Sequence, residues 1–311
     1  MSAPAYHLRP NKAVDRLIFM DAIGHLERLH TLDTYTYYGF GGPYLEDFRL
    51  LYERYPTIDA VSIERDSEVL KRQDFHRPCG TLRLEETELK SFIVKYDPRD
   101  RRSIFWLDYT NLRYSNFEEF SALIGKLAAD SLVKITLRGQ LQDFLNKQEQ
   151  FREYFSALMP DPSANPPVSQ EAYASLIQKM LQIAAQRALP AATGMTFQPI
   201  CTFYYSDGTF MFTATGIVCA RSEKSAIRDK FRPWRFASLN WARPKRIDVP
   251  TLTTKERLHL QNLLPCARDA GSVLRRRLGY LIDDGRAKSE SRLKQYELFH
   301  RYYPYVMRGV P

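Results

Sequence analysis

The chain has 311 residues, of which 44% are hydrophobic and 26% charged, a composition typical of folded globular proteins and not of disordered or fibrous ones. No apolar run reaches the roughly 18 residues that a membrane-spanning helix needs, and residues 1–15 lack the apolar core of a signal peptide. Four cysteines without Cys-x-x-Cys spacing indicate reduced thiols, not a zinc site or a disulfide framework. We therefore predict a cytoplasmic protein without a membrane partner.

Charge is unevenly distributed along this chain, whose formal net charge is +9. Residues 221–311 contain 21 Lys and Arg against 9 Asp and Glu, a local charge of +12, whereas residues 1–220 carry −3. A basic face on the C-terminal third would suit a nucleic acid, an acidic protein partner or a phosphorylated substrate. The alternative is that this basic segment docks on the acidic remainder of the chain or is simply solvated.

The first half of the chain alternates between helical and strand-like patterns. Apolar residues recur at helical spacing over residues 12–29, and Asn11 is placed to cap this helix. Five predicted strands follow at residues 34–38, 60–64, 81–84, 103–107 and 131–137, with helices predicted between them at 44–55, 67–75 and 117–129. This order predicts an α/β fold with a doubly wound, mostly parallel sheet.

The second half begins with a predicted polar helix over residues 140–158 and a loop over residues 160–167, and a further helix is predicted over residues 169–187. Two strand-like runs, residues 200–205 and 210–218, flank a strong hairpin turn and predict an antiparallel end to the sheet. Residues 229–250 are expected to be irregular, and Thr253 and Glu256 have the spacing of a capping box before a helix over residues 255–264.

The glycine-dense turn that follows the first predicted strand is the clearest sign of a ligand site. Gly39, Gly41 and Gly42 end this strand, and the next strand closes on Glu64. In an open α/β sheet this order places backbone N–H groups and a carboxylate at one edge, where a nucleoside ribose can bind. Because Pro43 follows where another glycine is wanted for a pyrophosphate, the pattern favours a cofactor without phosphates. The alternative is that the glycines only make a tight turn.

The fourth predicted strand, residues 103–107, is a buried apolar run that ends on Asp108, Tyr109 and Asn111. A carboxylate at this edge can act as a general base on an acceptor hydroxyl. The alternative is that Asp108 only caps the turn that follows the strand.

These segments resemble a known family. Gly39-Phe-Gly-Gly42, Ser62-Ile-Glu64 and Trp106-Leu-Asp-Tyr109, preceded by Arg9-Pro-Asn-Lys12, are similar to bacterial putative O-methyltransferases, which in turn resemble class I S-adenosylmethionine-dependent methyltransferases. The resemblance covers roughly residues 9–220. It implies a Rossmann-like methyltransferase fold closed by an antiparallel hairpin, S-adenosylmethionine as the cofactor, and methyl transfer to an unidentified acceptor.

The resemblance also implies roles for individual residues. The cofactor-binding residues would be Gly39, Phe40, Gly41, Gly42, Glu64, Glu86, Thr87 and Asp108. Asp108 would face the sulfonium and the substrate as base or orienter. Apart from the resemblance, Tyr109 and Lys12 are further candidate catalytic residues, and Asn11 and Asn111 are candidate substrate-binding residues. Arg9 and Lys12, beside a helix start, could reach over the cofactor pocket and bind an anionic substrate, or could be solvated surface residues. The position two residues before the first glycine, which is usually acidic in the superfamily, is Tyr37 in this chain.

The strand ends also argue against two other chemistries. A metal-dependent transfer would need a second acidic residue after the fifth strand, where Arg138, Gly139 and Gln140 stand, so we predict no metal. The Asp/Asn-Pro-Pro-aromatic signature of amino-methylating enzymes is absent after the fourth strand, which favours an oxygen acceptor over a nitrogen.

Three segments are predicted: a helical N-terminal lid over residues 1–33, the methyltransferase domain over residues 34–220, and a basic, mainly helical extension over residues 221–311. Trp234, Phe236 and Trp241 lie among basic residues in the extension and are candidates for stacking on nucleic-acid bases, or for packing within their own domain. A rival function is therefore a catalytically inactive binding or assembly module whose basic third holds a protein or a nucleic acid.

Overall fold

A computed structural model of the protein describes residues 9–98, 101–161, 165–266 and 268–303. The strands within these ranges are β1 Tyr35–Gly39, β2 Asp59–Glu64, β3 Arg83–Glu86, β4 Arg102–Asp108, β5 Ser131–Gly139, β6 Met195–Ser206, β7 Phe210–Ala220 and β8 Lys245–Arg246. The helices are α1 Pro10–Gly24, α2 Glu46–Arg54, α3 Ser67–Phe75, α4 Leu89–Lys95, α5 Tyr114–Ile124, α6 Leu141–Asn146, α7 Gln148–Tyr154, α8 Gln170–Ala188, α9 Lys224–Phe231, α10 Thr254–Gln261, α11 Ala270–Leu278 and α12 Arg286–Phe299.

The strands form one sheet in the order β3-β2-β1-β4-β5-β7-β6-β8. Strands β1 to β5 pair in parallel, and β7 pairs antiparallel with β5. The predicted doubly wound sheet with an antiparallel hairpin at one side is thereby confirmed. The strand order reverses between β1 and β4, which is where open α/β sheets bind their ligands.

The register of the parallel strands brings their carboxyl ends to one edge. Gly39 lies opposite Ser62 of β2 and Trp106 of β4, and Asp108 lies opposite Thr136 of β5. The glycine turn and the acidic strand ends therefore share one edge of the sheet.

Buried side chains explain the sequence pattern of the central strands. Residues 131–137 of β5 are all buried, including the polar Ser131, Lys134 and Thr136, so this strand does not alternate between buried and exposed positions. On one face of the sheet, Phe117, Phe120 and Ile124 of α5 enter a large apolar core that α8 also contributes to.

The predicted polar helix over residues 140–158 is wrong in one respect, because it is two helices and a short 3-10 turn. The backbone at Lys147 (φ −135°, ψ 39°) is not helical and separates α6 from α7. The aromatic rings on either side of this break, Phe144 and Phe151, meet with their centroids 4.8 Å apart. Tertiary packing therefore overrides a helical pattern that continues through Lys147.

Other element boundaries also differ from the predictions. β3 lies two residues later than predicted, α4 was not predicted, and part of the segment expected to be irregular forms the end of α9 and β8. Short helices carry few periodic positions, which explains why α4 gave no recognisable pattern in the sequence. Residues 162–164 of the predicted loop and residues 1–8 of the predicted lid lie outside the described residues.

The chain divides into two compact units. Unit 1 contains the described residues up to Ile18, the turn Tyr205–Gly208, and the described residues from Arg246 onward. Unit 2 contains Phe19–Tyr204 and Thr209–Lys245. In the described part of the chain, no helix has the length and apolarity needed to span a membrane.

Unit 1 corrects the predicted role of Asn11. Helix α1 begins at Pro10, so Asn11 is inside the first turn and not at the cap. Its side-chain amide donates to Asp207 Oδ1 (2.8 Å) and to the Ser206 carbonyl (3.3 Å), and its Oδ1 accepts from the Val249 N–H (3.0 Å). Asn11 thus ties together three chain segments that are distant in sequence.

Candidate active site at the carboxyl edge of the sheet

The glycine turn has a backbone that only glycine adopts without strain. Gly41 (φ 63°) and Gly42 (φ 55°) are both left-handed, and the Leu45 N–H donates to the Gly41 carbonyl (3.1 Å). A Cβ on Gly41 would lie 2.6 Å from Leu45 Cδ2 and 2.9 Å from the Phe48 ring. The room beside Gly41 is therefore occupied by Leu45 and by Phe48 of α2.

A buried glutamine holds the glycine turn in place. Gln73 of α3 is fully buried, and its Nε2 donates to the carbonyls of Phe40 and Gly42, both at 3.0 Å. Its Oε1 accepts from the Ser62 hydroxyl (2.9 Å) of β2. The sequence-based prediction missed Gln73, although a polar side chain three residues after Leu70 interrupts the apolar side of this short helix.

A carboxylate lies beside the turn even though position 37 is not acidic. The Tyr37 hydroxyl donates to Asp47 Oδ2 (2.8 Å), and both residues are buried. Asp47 Oδ2 also lies 3.4 Å from the place of a Cβ on Gly39. A buried carboxylate of α2 thus lies beside the first strand, although the strand itself carries Tyr37 at that position.

One carboxylate oxygen of Glu64, the last residue of β2, is hydrogen-bonded to the backbone that directly follows the strand. Oε1 accepts from the N–H groups of Arg65 (2.8 Å) and Asp66 (2.9 Å), which fixes the orientation of the side chain. Among the described residues, Oε2 has no hydrogen-bond donor. The carboxylate is therefore held in place with one oxygen available to a ligand hydroxyl.

The end of β3 lies next to Glu64. The Thr87 N–H donates to the Glu64 carbonyl (2.9 Å), so Thr87 is beside the same part of the edge, and Glu86 is exposed. Both predicted cofactor residues of this strand are close to Glu64 in the sheet.

The end of β4 carries three predicted site residues. Asp108 is half-buried at the last position of the strand. Tyr109 is buried, with its ring 5.9 Å from that of Phe40 and its hydroxyl donating to Glu119 (2.8 Å). Burial raises the pKa of Tyr109 well above its ordinary value, and the Glu119 carboxylate raises it further, so the hydroxyl keeps its proton at neutral pH. The catalytic role of Tyr109 stays a prediction.

Asn111, in the loop after β4, differs from Asp108 and Tyr109 in having a buried side-chain oxygen without a hydrogen-bond partner among the described residues. This oxygen is Oδ1. Buried polar atoms usually have a partner, so this acceptor is a candidate for a hydrogen bond from a water or a ligand.

The predicted residues at the start of the chain belong to unit 1. Arg9 is half-buried, and its carbonyl accepts from the Ala13 N–H (3.0 Å). Lys12 is 7% exposed, and its backbone N–H donates to Asp207 Oδ2 (2.9 Å).

The aromatic cluster of the C-terminal third is packed inside unit 2. Trp234 and Phe236 are 6% and 1% exposed, and the Trp234 indole N–H donates to Asp21 (2.7 Å). The Trp241 ring lies 5.9 Å from that of Phe197. Of the two alternatives for these rings, packing within their own domain describes Trp234 and Phe236, because both side chains are buried.

No cluster of three or more His, Cys, Asp or Glu side chains that could hold a metal ion occurs within the described ranges.

Comparisons with known proteins agree with this architecture. The sequence pattern of a family described as "Putative O-methyltransferase" matches residues 4–309. A search of curated protein sequences gives no significant match. Trm1 from Pyrococcus horikoshii, solved as a complex with S-adenosyl-L-methionine, has a TM-score of 0.51 to this structure at 9% identity, covering 70% of this chain and 57% of that one.

Two further solved structures show lower scores. They are an O-methyltransferase family protein from Burkholderia thailandensis (TM-score 0.36, 11% identity, 66% of this chain and 60% of that one) and the plantazolicin methyltransferase BpumL (TM-score 0.41, 11% identity, 70% and 86%). The chain thus spans less than two thirds of the length of Trm1 and of the Burkholderia protein. The family match covers nearly the whole chain, and the sheet is that of the Rossmann-like methyltransferases: the chain belongs to the family described as putative O-methyltransferases.

Proposed function

We propose that the protein transfers a methyl group from S-adenosylmethionine to an oxygen atom of an acceptor molecule. The observation that carries this proposal is the geometry of Glu64, whose Oε1 is fixed by two backbone N–H groups while Oε2 has no donor among the described residues. A carboxylate in this position can accept a hydrogen bond from a ribose hydroxyl.

The residues of this edge fit such a cofactor. The glycine turn, held by Gln73, lies beside Glu64 at the strand-order reversal, and Thr87 borders Glu64 on the next strand. When bound, S-adenosylmethionine supplies an electrophilic methyl group. The residues of this chain then bind and orient, and most of the acceleration comes from holding the two reactants in line.

Asp108 is the residue we assign to the acceptor. It is half-buried at the end of β4, next to the strand-order reversal, where it would orient the acceptor hydroxyl and take its proton as the oxygen is methylated. Oxygen is favoured over nitrogen as the acceptor atom by the family description.

The test is calorimetric titration of S-adenosylmethionine and S-adenosylhomocysteine into the wild-type protein and Glu64→Gln. Glutamine keeps an oxygen for the Arg65 and Asp66 N–H groups but replaces the carboxylate charge. We expect affinity to fall about 5- to 150-fold, which corresponds to about 1–3 kcal/mol for a charge-assisted hydrogen bond. The control is Glu68→Gln, which changes an exposed carboxylate on α3. Unchanged affinity in a folded Glu64→Gln would contradict the cofactor assignment.

The basic C-terminal third carries exposed positive charges that could bind a partner. We propose that unit 1 presents its exposed basic side chains to a nucleic acid or an acidic protein. Arg276 and Arg277 of α11 are exposed and make no ion pair with the described residues, whereas the nearby acid Glu290 is already paired with Arg275 and Arg286. The same observation supports the rival function, an inactive binding module, if neither cofactor form binds.

A further inference from the structure

Beside the proposed active site, unit 2 contains a cavity that Asn111, a predicted substrate-binding residue, helps to line. Its volume is about 630 Å³, and it lies between the loop after β4, the end of β5, and helices α6, α7 and α8. This size is within the range of about 300–1,000 Å³ that is common for small-molecule sites. Asn111, three residues after Asp108, lines it. A ligand in the cavity would therefore be close to the carboxyl end of β4.

One wall of the cavity is a rigid set of aromatic rings. The centroids of Phe144 and Phe151 are 4.8 Å apart, and those of Phe151 and Phe155 are 4.5 Å apart. Phe144 also meets the ring of Tyr173 on α8 at 5.6 Å. These rings are tilted or edge-to-face, and Phe144 and Phe155 are almost fully buried, so Phe151 is the Phe ring of this wall that remains partly exposed to a ligand ring.

Two polar atoms at the cavity have no hydrogen-bond partner among the described residues. Tyr173 is 2% exposed, and its hydroxyl makes no hydrogen bond with this part of the chain. A Cβ on Gly139 would lie 2.9 Å from this hydroxyl, so glycine at the end of β5 leaves the room that Tyr173 Oη occupies. Asn111 Oδ1 is also a buried acceptor without a donor in the described chain. Burial, and secondarily Asp143, raises the pKa of Tyr173, so its hydroxyl remains a donor.

The charges that line the cavity favour an anion. Arg138 and Lys147 contribute two positive charges and Asp143 contributes one negative charge, and no other described lining residue is charged. Arg138 is exposed, and its guanidinium has no carboxylate partner among the described residues. A guanidinium binds a carboxylate through two parallel hydrogen bonds, which fixes direction as well as charge.

We propose that this cavity is the acceptor site and that the acceptor is a small aromatic carboxylate that bears a hydroxyl group. The ring packs on Phe151, the carboxylate binds Arg138, and the acceptor hydroxyl accepts a hydrogen bond from the Tyr173 hydroxyl, which leaves its own proton available for transfer. The inference rests on the proposed methyl transfer. In that reaction the acceptor oxygen forms a bond to the methyl carbon as the bond from that carbon to sulfur breaks. The hydroxyl proton passes to Asp108, and S-adenosylhomocysteine leaves.

The test is calorimetric titration of the full chain with 4-hydroxybenzoate and 3-hydroxybenzoate, with and without S-adenosylhomocysteine. Benzoate, phenol and benzylamine are the comparison ligands. We expect the hydroxybenzoates to bind, phenol to bind about tenfold more weakly because it lacks the carboxylate, and benzylamine not to bind. Arg138→Gln should weaken hydroxybenzoate binding about tenfold. Arg187→Gln, at the exposed end of α8 and outside the cavity, should not change it.

Tyr173→Phe isolates the hydroxyl contact, because it removes one oxygen that has no described partner and leaves the ring packing. The variant should weaken the binding of 4-hydroxybenzoate about fivefold and leave the binding of benzoate unchanged. An equal reduction in affinity for both ligands would show a general packing defect and overturn the assignment of the hydroxyl.

Binding of S-adenosylhomocysteine without binding of any hydroxybenzoate would overturn this inference while leaving methyl transfer intact. Hydroxybenzoate binding that is insensitive to Arg138→Gln, or phenol binding of equal strength, would also overturn it. Hydroxybenzoate binding without any binding of S-adenosylhomocysteine would support the ligand class and contradict the proposed methyl transfer.

Discussion

Single side chains decide the shape of the proposed cofactor site. Gln73 donates hydrogen bonds to two carbonyls of the glycine turn, and the Asp47 carboxylate accepts a hydrogen bond from the Tyr37 hydroxyl. Neither residue is part of the motif that identifies the turn in the sequence. A motif shows which backbone is unusual, whereas the side chains that hold this backbone come from elsewhere.

Gln73→Ala should weaken the binding of S-adenosylhomocysteine by about tenfold. The carbonyls of Phe40 and Gly42 and the Ser62 hydroxyl would lose their common partner, which should also lower the free energy of unfolding by about 1–3 kcal/mol. Titration calorimetry and guanidinium unfolding measure the two effects.

Gln178→Ala is the matched control for this prediction. Gln178 is also buried, and its Nε2 donates to the carbonyls of Trp241 (2.9 Å) and Ala242 (3.0 Å). This variant should lose comparable stability and keep its cofactor affinity. If both variants lose affinity equally, Gln73 has only a general structural role.

Asp108→Asn should keep the affinity for S-adenosylhomocysteine within about twofold and lower methyl transfer at least about a hundredfold, because an amide cannot take a proton. Transfer of radiolabelled methyl groups to a small-molecule extract measures turnover, with Asp130→Asn as a control at a site that pairs with His30. A fully active Asp108→Asn would rule out the base role.

At the scale of elements, α10 shows how a local signal specifies a helix start. The Thr253 hydroxyl accepts from the Glu256 N–H (3.2 Å), and Glu256 Oε2 accepts from the Thr253 N–H (2.6 Å), as the capping-box spacing predicts. Both partners are within one turn of each other, so no tertiary information is needed to recognise them.

This cap predicts a pH dependence for unit 1. Partial burial raises the pKa of the Glu256 carboxyl, but hydrogen bonds from Tyr280 and Thr253 outweigh it and leave the pKa below 4.5. A carboxyl whose pKa is lowered on folding stabilises the protein above its unfolded pKa, and this contribution disappears as the pH falls through the folded pKa. The stabilising contribution of Glu256 is therefore expected to be lost below about pH 4.5.

Glu256→Gln should therefore be less stable than the wild type at about pH 7, and the difference should shrink as the pH falls through the lowered pKa of the folded-state carboxyl. Thr253→Ala, which removes the cap itself, should cost about 0.5–2 kcal/mol throughout this pH range. Guanidinium unfolding followed by circular dichroism measures both. A difference between Glu256→Gln and the wild type that does not change with pH would contradict the assigned pKa shift.

At the scale of the whole molecule, the charge asymmetry is the property most open to test. If unit 1 binds a nucleic acid, the logarithm of affinity should fall linearly with the logarithm of salt concentration, because neutralised phosphates release counterions. The double variant Arg276→Glu/Arg277→Glu should weaken binding to single-stranded RNA. It should also make the salt slope about 1.4 units shallower, since each neutralised phosphate of a single strand contributes about 0.7 to the slope.

S-adenosylhomocysteine affinity, measured on the same protein, should not change in this double variant. Fluorescence anisotropy with labelled RNA gives the slope. A salt slope near zero for the wild type would show that the basic residues of unit 1 do not bind a polyanion.

The sequence by itself determined the kind of sheet, the position of the glycine turn and the carboxylates at the strand ends. Apolar runs of strand length, helical periodicity and glycine are local signals, because hydrophobic burial and backbone freedom are set within a few residues. The placement of Glu64 and Asp108 at the same edge also follows from the sequence, because a parallel sheet places the carboxyl ends of its strands at one edge.

Only the tertiary structure decided which side chains meet at long range. Asn11, predicted as a helix cap, instead bonds Asp207 and Val249, and the Tyr173 hydroxyl reaches the end of β5 at Gly139. Such contacts join residues tens to hundreds of positions apart, and their free energy depends on burial and on exact distances that no local pattern contains. The physical reason is that a hydrogen bond acts over about 3 Å in space, whatever the separation along the chain.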